Sequence, residues 1–553
     1  MSRTSSRAIA LAGAAALAAG GVAGSVALAE GPSPKAAPIA HEKAGGKGKG
    51  PVSADPDFAQ VGRYQVDFAI PEDASAAETF AIDRDRMYVT NAANGTLDIV
   101  DISRPDAPVL LERIPLGAAP NSVDAGRTLV AVALDATPKT DPGTVRFFQR
   151  TRDGLRMLRD VTVGAVPDMV LFTDDGRKLL VANEGEPSGY GDEGVDPEGS
   201  VSIIDARGVE RGAPAVRTVG FRAFDEGGPR HDELPDGLRL NGPGARVSQD
   251  LEPEYIALSA TGRDAYVSLQ ENNALAVIDV RRARVSRIIP MGLRDHSQPG
   301  AGIDASNRDD AINIAPWPVV GIPMPDGIDA FRLKGQDYVI TANEGDAREW
   351  GSFADVDRLR DATLDGANLQ VPGFDGADLA ENENLGRLNI SLTDGFDGPV
   401  LRRPHSFGSR SVSILRPDGT LVWDSGDAFE QVTAAERPDI FNASNSNNEF
   451  DNRSDDKGPE PEDVAVGTIN GRTYAFVALE RVGGLMVLDI TDPARGRVVR
   501  WVNTRDYTAD PTATDSGPEI VKFIPRSQSP TRKPLVVFSN EVSGSIVFLQ
   551  PTG

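Results

Sequence analysis

The chain has 553 residues, with 82 acidic against 57 basic side chains, a formal net charge of -25 and no cysteine. A disulfide scaffold, a thiolate metal site and a cysteine nucleophile are therefore excluded. With 40 % hydrophobic residues and a mean hydropathy of -0.28, the composition is that of a globular chain, either multidomain or one large repeat fold. It offers no global basic field to gather nucleic acid, so any anionic ligand needs a local cationic or metal site.

At the N-terminus, Arg3 and Arg7 precede an Ala/Leu/Val/Gly run from Ala8 to Leu28 that closes on Ala27-Leu28-Ala29. This reads as a secretory signal over residues 1–29, cleaved after Ala29, with an uncleaved anchor helix as the alternative. Residues 30–58 read as a disordered Pro/Gly/Lys-rich linker with too little apolar surface to fold. No further membrane span or C-terminal sorting tail is expected, and the chain is expected to be a monomer.

From residue 59 to 553 one phrase recurs: an apolar strand, a turn holding Asn or Glu, and a second strand ending in Asp. It appears as MYVTNAANGTLDIVD, KLLVANEGEP...GSVSIID, AYVSLQENNALAVID, YAFVALERVGGLMVLD and PLVVFSNEVSGSIVFL. Looser copies are TLVAVALDATPKTDPGTVRFF and YVITANEGDAREW, whose partner strand SRSVSILRPDG follows a long insertion. Each copy has a strand before it and usually one after, which makes a four-stranded antiparallel blade. Seven units start near Ala77, Ala119, Val166, Leu251, Met324, Gly458 and Ser516, which predicts an all-β, seven-bladed β-propeller rather than two β-sandwiches. The last unit lacks its outer strand, and Val61 to Ile70 is expected to supply it and close the ring.

Seven blades of about 42 residues leave on the order of 190 residues of surplus. The surplus lies at 186–198, 223–250, 291–324, 351–408, 426–458 and 503–516. All six are connections that a propeller places on one face, whereas TDDGRK, SATGRD and LRPDGT on the other are tight turns. This asymmetry predicts one functional face.

The starts of the inner strands read APNSV, VPDMV, EPEYI, MPDGI, EPEDV and GPEIV, with AETFA in the first blade. They align Asn121, Asp168, Glu254, Asp326, Glu462 and Glu519, with Glu78 seventh. The ends of the second strands align Asp135, Glu184, Glu271, Glu344, Glu480 and Glu541, with Ala92 in the first blade. Strands generally disfavour acids, so the recurrence is not needed for folding. Two carboxylates about 6 Å apart repel by about 3 kcal/mol at an effective dielectric of 20. A ring of them at the channel mouth requires compensation by a hard cation, by internal Arg or Lys, or by protonation. Calcium suits the donor type best, and the expected metal ligands are Asp168, Glu184, Glu254, Glu271, Asp326, Glu344, Glu462, Glu480, Glu519 and Glu541. Asn183, Asn343, Asp346, Arg348, Arg453, Lys457 and Arg481 are candidate contacts for a small anionic ligand, with Arg410 a further phosphate-facing cation. Two insertions, Gly302 to Asp310 and Asn445 to Asp456, add oxygen donors without the spacing of an EF-hand. His231, His296 and His405 read as surface residues and His41 lies in the linker, so no haem is expected. No P-loop, G-x-S-x-G elbow or H-E-x-x-H occurs, which leaves a nucleotide, a serine triad and a zincin unsupported.

The phrases LVANEGEP, VDPEGSVSIID, LEPEYIALS, LQENNALAVID, TANEGDARE, RSDDKGPEPEDV, ALERVGGLMVLDITDP and SNEVSGS together resemble the choice-of-anchor I family, over nearly all of Val61 to Leu549. The family includes proteins named mesenchyme-specific cell surface glycoproteins. The resemblance implies a secreted or surface-displayed propeller related to the YVTN and haem-d1-type superfamily. Some members carry an alkaline phosphatase label. The first expectation is therefore an extracellular propeller whose acidic mouth binds calcium and a ligand or cell-surface partner. The alternative is a calcium-dependent phosphoesterase.

Overall fold

The apolar runs of the repeat become the second and third strands of a series of sheets. In Leu129–Leu134 all six side chains are buried, and in Ala274–Asp279 likewise. Alternate residues of such a strand point to opposite faces, so continuous apolarity means that both faces are covered. Fourth strands such as Val109–Pro115 are largely exposed, as the outer edge of a sheet should be. The computed structural model describes residues 55–66 and 76–552, apart from 153 and 213. The expected leader, and the linker up to residue 54, lie outside the described residues.

Among the described residues, seven four-stranded antiparallel sheets follow one another along the chain. The first is Phe80–Asp83, Arg86–Asn91, Thr96–Asp101 and Val109–Pro115; the second is Pro120–Ala125, Leu129–Leu134, Pro142–Arg150 and Leu155–Ala165. The third is Pro167–Phe172, Lys178–Asn183, Ser200–Asp205 and Val216–Gly220; the fourth is Pro253–Leu258, Asp264–Leu269, Ala274–Asp279 and Arg284–Pro290. The fifth pairs Ile328–Leu333 and Gln336–Ala342 with Val412–Leu415 and Leu421–Asp424, across the long insertion. The sixth is Pro461–Ile469, Arg472–Leu479, Leu485–Asp489 and Arg497–Val502. The seventh takes Pro518–Ile524, Leu535–Asn540 and Ser545–Thr552 from the C-terminal end, and its fourth strand is Asp57–Gln65. That strand begins before the expected Val61, and Asp67 to Ile70 lie outside the described residues.

Each sheet packs on the next through its own apolar cluster, and this is what makes the fold a β-propeller. Tyr88, Leu97 and Ile99 of the first sheet meet Val123, Val130 and Val132 of the second. The series ends where Phe80, Met87 and Val89 of the first sheet pack on Val537, Ile546 and Phe548 of the seventh. Polar clamps reinforce the inner strands. Asp124 Oδ2 accepts the Phe172 N–H at 2.7 Å, Asp329 Oδ2 accepts that of Val466 at 2.8 Å, and Asp463 Oδ2 accepts that of Val521 at 2.8 Å. Each carboxylate reaches from one first strand to the next.

The six insertions are tied to one another. Residues 303–319 and 359–401 share an apolar core that includes Ile303, Val319, Leu359, Leu388 and Leu401. The Arg239 guanidinium pairs with Asp355 and Asp394, and Gln249 donates to the Asp196 carbonyl at 2.7 Å. Arg358 reaches Asp455, and Arg505 donates to the carbonyls of Ser444 and Asn447. These contacts gather all six segments into one assembly.

The Asp329→Ala variant leaves the Val466 N–H without its acceptor and is expected to lose about 1–3 kcal/mol in urea unfolding. Burial pushes the Asp329 carboxyl up to about 6, so the folded chain holds this proton more tightly than the unfolded one. Its contribution to stability is complete below the ordinary carboxylate range and is lost as pH rises through about 6. Asp329→Asn keeps an acceptor and is expected to flatten that part of the stability profile.

Candidate metal centre

The strand register brings the two aligned acidic positions side by side. Pro167 pairs with Asn183, Pro461 with Leu479 and Pro518 with Asn540. The acid after the proline and the residue after the second strand are thus neighbours: Asp168 with Glu184, Glu462 with Glu480, Glu519 with Glu541. In the second sheet the same pair is Asn121 and Asp135, joined by a 2.8 Å hydrogen bond. In the fourth sheet Pro253 pairs with Leu269, so the residue at this place is Gln270 and Glu271 stands one step further. The alignment of Glu271 with Glu480 is corrected accordingly, and Gln270 donates to Glu344 Oε2 at 2.7 Å.

Among the described residues, three groups have one oxygen from each member within 4.8 Å of the others: Glu184, Glu252 and Glu271; Asp326, Glu344 and Glu462; and Glu344, Glu460 and Glu480. Six of these eight acids are among the expected ligands. Asp168, Glu254, Glu519 and Glu541 fall outside the three groups. Glu252 and Glu460 were missed, because only the acid after the opening proline was aligned. Both stand just before it, and the phrase E-P-E in LEPEY and GPEPED carried the signal. Like charges at this spacing repel by about 3 kcal/mol even at an effective dielectric of 20.

Around Glu460 the protein supplies the opposite charge. Lys457 Nζ lies 2.7 Å from Glu460 Oε1 and 3.0 Å from Glu344 Oε1. Arg481 Nε and Arg453 each approach Glu460 Oε2 to 3.0 Å, and Arg481 also pairs with Glu480 at 3.2 Å. Burial alone would raise the Glu460 carboxyl; Arg481, Lys457 and Arg453 outweigh it and hold the group well below the ordinary range. Glu480 is pushed up to about 8 by burial.

Around Glu184, Glu252 and Glu271 the close cation is Arg348. Arg348 approaches Glu252 Oε1 to 3.4 Å, but its 2.8 Å partner is Asp250. Glu252 and Glu271 are 1 % and 8 % exposed, and neither Glu252 Oε1 nor Glu271 Oε2 accepts a hydrogen bond. Burial raises Glu184 and Glu252 well above the ordinary range, Glu184 also through Glu186 and Asp168. Oxygen-only donors, closely spaced and short of protein cations, suit a hard divalent ion.

The expected ligand contacts fare differently. The Asn183 amide donates to Ser200 and Ser202 and accepts the Gly164 N–H, while that of Asn343 donates to Ser411 and Ser413. Both side chains are wholly buried clamps within their sheets, which corrects their reading as ligand contacts. Gly185 and Gly345, which complete the Asn-Glu-Gly phrases, have φ of +77° and +87°, a backbone that favours glycine. Arg348 is fully buried on Asp250 and Glu252; Arg453, Lys457 and Arg481 are engaged by Glu460 and its neighbours. Arg410 is held by Glu430 at 2.6 Å. Each of these five cations already pairs with a buried carboxylate. Asp346 caps the Ala347 N–H beside the site. His296 is buried, not at the surface, and burial lowers it to about 4; His41 lies outside the described residues. The two oxygen-rich insertions meet through Arg410, which donates to the carbonyls of Asp304 and Ser454.

A family model, the choice-of-anchor I domain, matches residues 78–493. The chain is 32 % identical over 295 residues to the mesenchyme-specific cell surface glycoprotein of Strongylocentrotus purpuratus, covering 47 % of this chain and 38 % of that protein. It is 30 % identical over 186 residues to Gigasin-3a of Magallana gigas, covering 31 % of this chain and 65 % of that one. The chain thus spans less than two thirds of either relative. Among solved structures, Kuenenia stuttgartiensis hydrazine synthase aligns with a TM-score of 0.44 at 12 % identity, over 88 % of this chain and 99 % of that one. The Cps50 (Swd1) β-propeller domain of Myceliophteria thermophila aligns at 0.39 and 9 %, with the same coverage. With the family model covering most of its length, the chain belongs to the choice-of-anchor I family.

Proposed function

We propose that this protein is a secreted or cell-surface β-propeller that holds calcium, or a similar hard divalent cation, at Glu184, Glu252 and Glu271, and that its insertion-bearing face meets an extracellular partner. The observation that carries the reading is this group of three close carboxylates, in which buried oxygens of Glu252 and Glu271 accept no hydrogen bond. A divalent ion relieves the repulsion and satisfies those oxygens together, whereas zinc would be better served by His or Cys. The extracellular setting is supported by the secretory reading of residues 1–29 and by the name of the sea urchin relative. Among the described residues no helix is long and apolar enough to cross a membrane.

The phosphoesterase alternative needs cations facing a bound phosphate. Arg348, Arg453, Lys457 and Arg481 are instead engaged by carboxylates, so this reading is the less favoured one. Its direct check is metal-dependent release of phosphate from a chromogenic ester, and no turnover is expected.

Elemental analysis of the purified protein is expected to find calcium, and chelation is expected to lower the melting temperature reversibly. Absence of metal together with an unchanged melting curve overturns the proposal. Glu252→Gln and Glu271→Gln are each expected to weaken calcium binding about tenfold or more by isothermal titration while strand content by circular dichroism is retained. Binding equal to the parent in both variants places the cation elsewhere.

A further inference from the structure

Two of the acidic groups occupy corresponding places in the repeat. Glu184 and Glu344 each complete the Asn-Glu step after a second strand, of the third and fifth sheets. Glu252 and Glu460 each stand before the proline that opens the next first strand, of the fourth and sixth sheets. The third members differ by one step. Leu269 and Leu479 both pair with the opening proline, so the residue matching Glu271 is Arg481. Lys457, three residues before Glu460, is matched by Gln249, three before Glu252. The backbone is not identical, since Glu460 is left-handed at φ +57°.

The charge at the two places differs. In the later copy Lys457 Nζ bridges Glu344 and Glu460 at 3.0 and 2.7 Å, with Arg481 beside it. In the earlier copy Gln249 is turned away, onto the Asp196 carbonyl and Arg246, and an acid stands where Arg481 would be. Position 249 therefore places no ammonium between Glu184 and Glu252, the counterparts of the two carboxylates that Lys457 joins.

We propose that these are two copies of one cation-holding device: Lys457 is a tethered ammonium in the later copy, and a calcium ion takes the corresponding place in the earlier one. This rests on the calcium reading above and goes beyond it by assigning a second, self-filled site and by setting the ion count at one. An amine on the chain cannot dissociate, so the joint between the fifth and sixth sheets holds at any calcium concentration. The joint between the third and fourth depends on the ion.

The test grafts each copy onto the other and measures bound calcium per chain by equilibrium dialysis, with calcium chloride as the probe. The parent is expected to bind one ion. Gln249→Lys, which installs the ammonium in the earlier copy, is expected to bind none and to melt at the same temperature with and without chelator. The double variant Lys457→Gln with Arg481→Glu is expected to bind two. One ion in the parent and one in each variant, with melting curves showing folded protein, overturns the twin-site proposal but leaves calcium binding standing. Two ions in the parent overturns the ion count of one, and with it the assignment of a single open place. No ion in the parent overturns the calcium reading itself. Should the double variant fail to fold, Gln249→Lys alone decides: retention of the ion at parental affinity is incompatible with a shared device.

Discussion

Carboxylates crowded at the ends of inner strands, with oxygens of three acids inside 4.8 Å, set the terms for this end of the propeller. Desolvation and mutual repulsion both act against their ionised forms, and burial makes each term larger than at a surface. Every other feature at the site answers this constraint. Lys457, Arg453 and Arg481 surround Glu460; Arg348 is held by Asp250 and Glu252; Lys139 pairs with Asp135 at 3.2 Å. Around Glu184 and Glu252, burial raises the carboxyls well above the ordinary range. Internal cations therefore answer some of these acids, while others are left with raised carboxyls.

The propeller makes such crowding tolerable because its stability resides elsewhere. Apolar clusters between neighbouring sheets, including the one that joins Phe80 and Met87 to Val537 and Phe548, carry the packing without reference to the acids. Without disulfides, the seventh sheet joins the two ends of the ring by strand pairing, from Asp57 opposite Thr552 to Gln65 opposite Ser545. Asp124, Asp329 and Asp463 then use single carboxylates as connectors between first strands, where each accepts backbone N–H groups. Acids in one part of the inner strands thus build the ring, and acids at the strand ends load it.

Much of this was legible in the sequence. The recurrence of the strand phrase, the long detour between YVITANEGDAREW and SRSVSILRPDG, and the missing outer strand of the last unit all follow from periodicity, since a two-residue alternation and a repeated turn leave direct traces in a linear string. The pairing of Val339 with Leu415 realises the detour. The acids after the inner-strand prolines were visible for the same reason. Glu252 and Glu460 were not, because their importance lies in which oxygens converge and not in their place in an alignment. Asn183 and Asn343 misled in the opposite sense: a repeated polar residue at a strand end looked like a ligand contact, and it is a clamp for the neighbouring strand's serines.

The sequence by itself determined the all-β repeat, the order of the sheets, the positions of the insertions and the acidic character of one end, because hydrophobic alternation, turn residues and charge are local properties of the string. Only the tertiary structure decided which acids meet which cations. Lys457 reaches Glu344 across 113 positions of sequence, and Arg348 reaches Asp250 across 98. A one-residue difference in register puts Gln270 where an acid was expected, and puts Glu271 at the place that Arg481 fills two sheets later. Electrostatic energy varies with distance and burial, and neither quantity exists until the ring has closed.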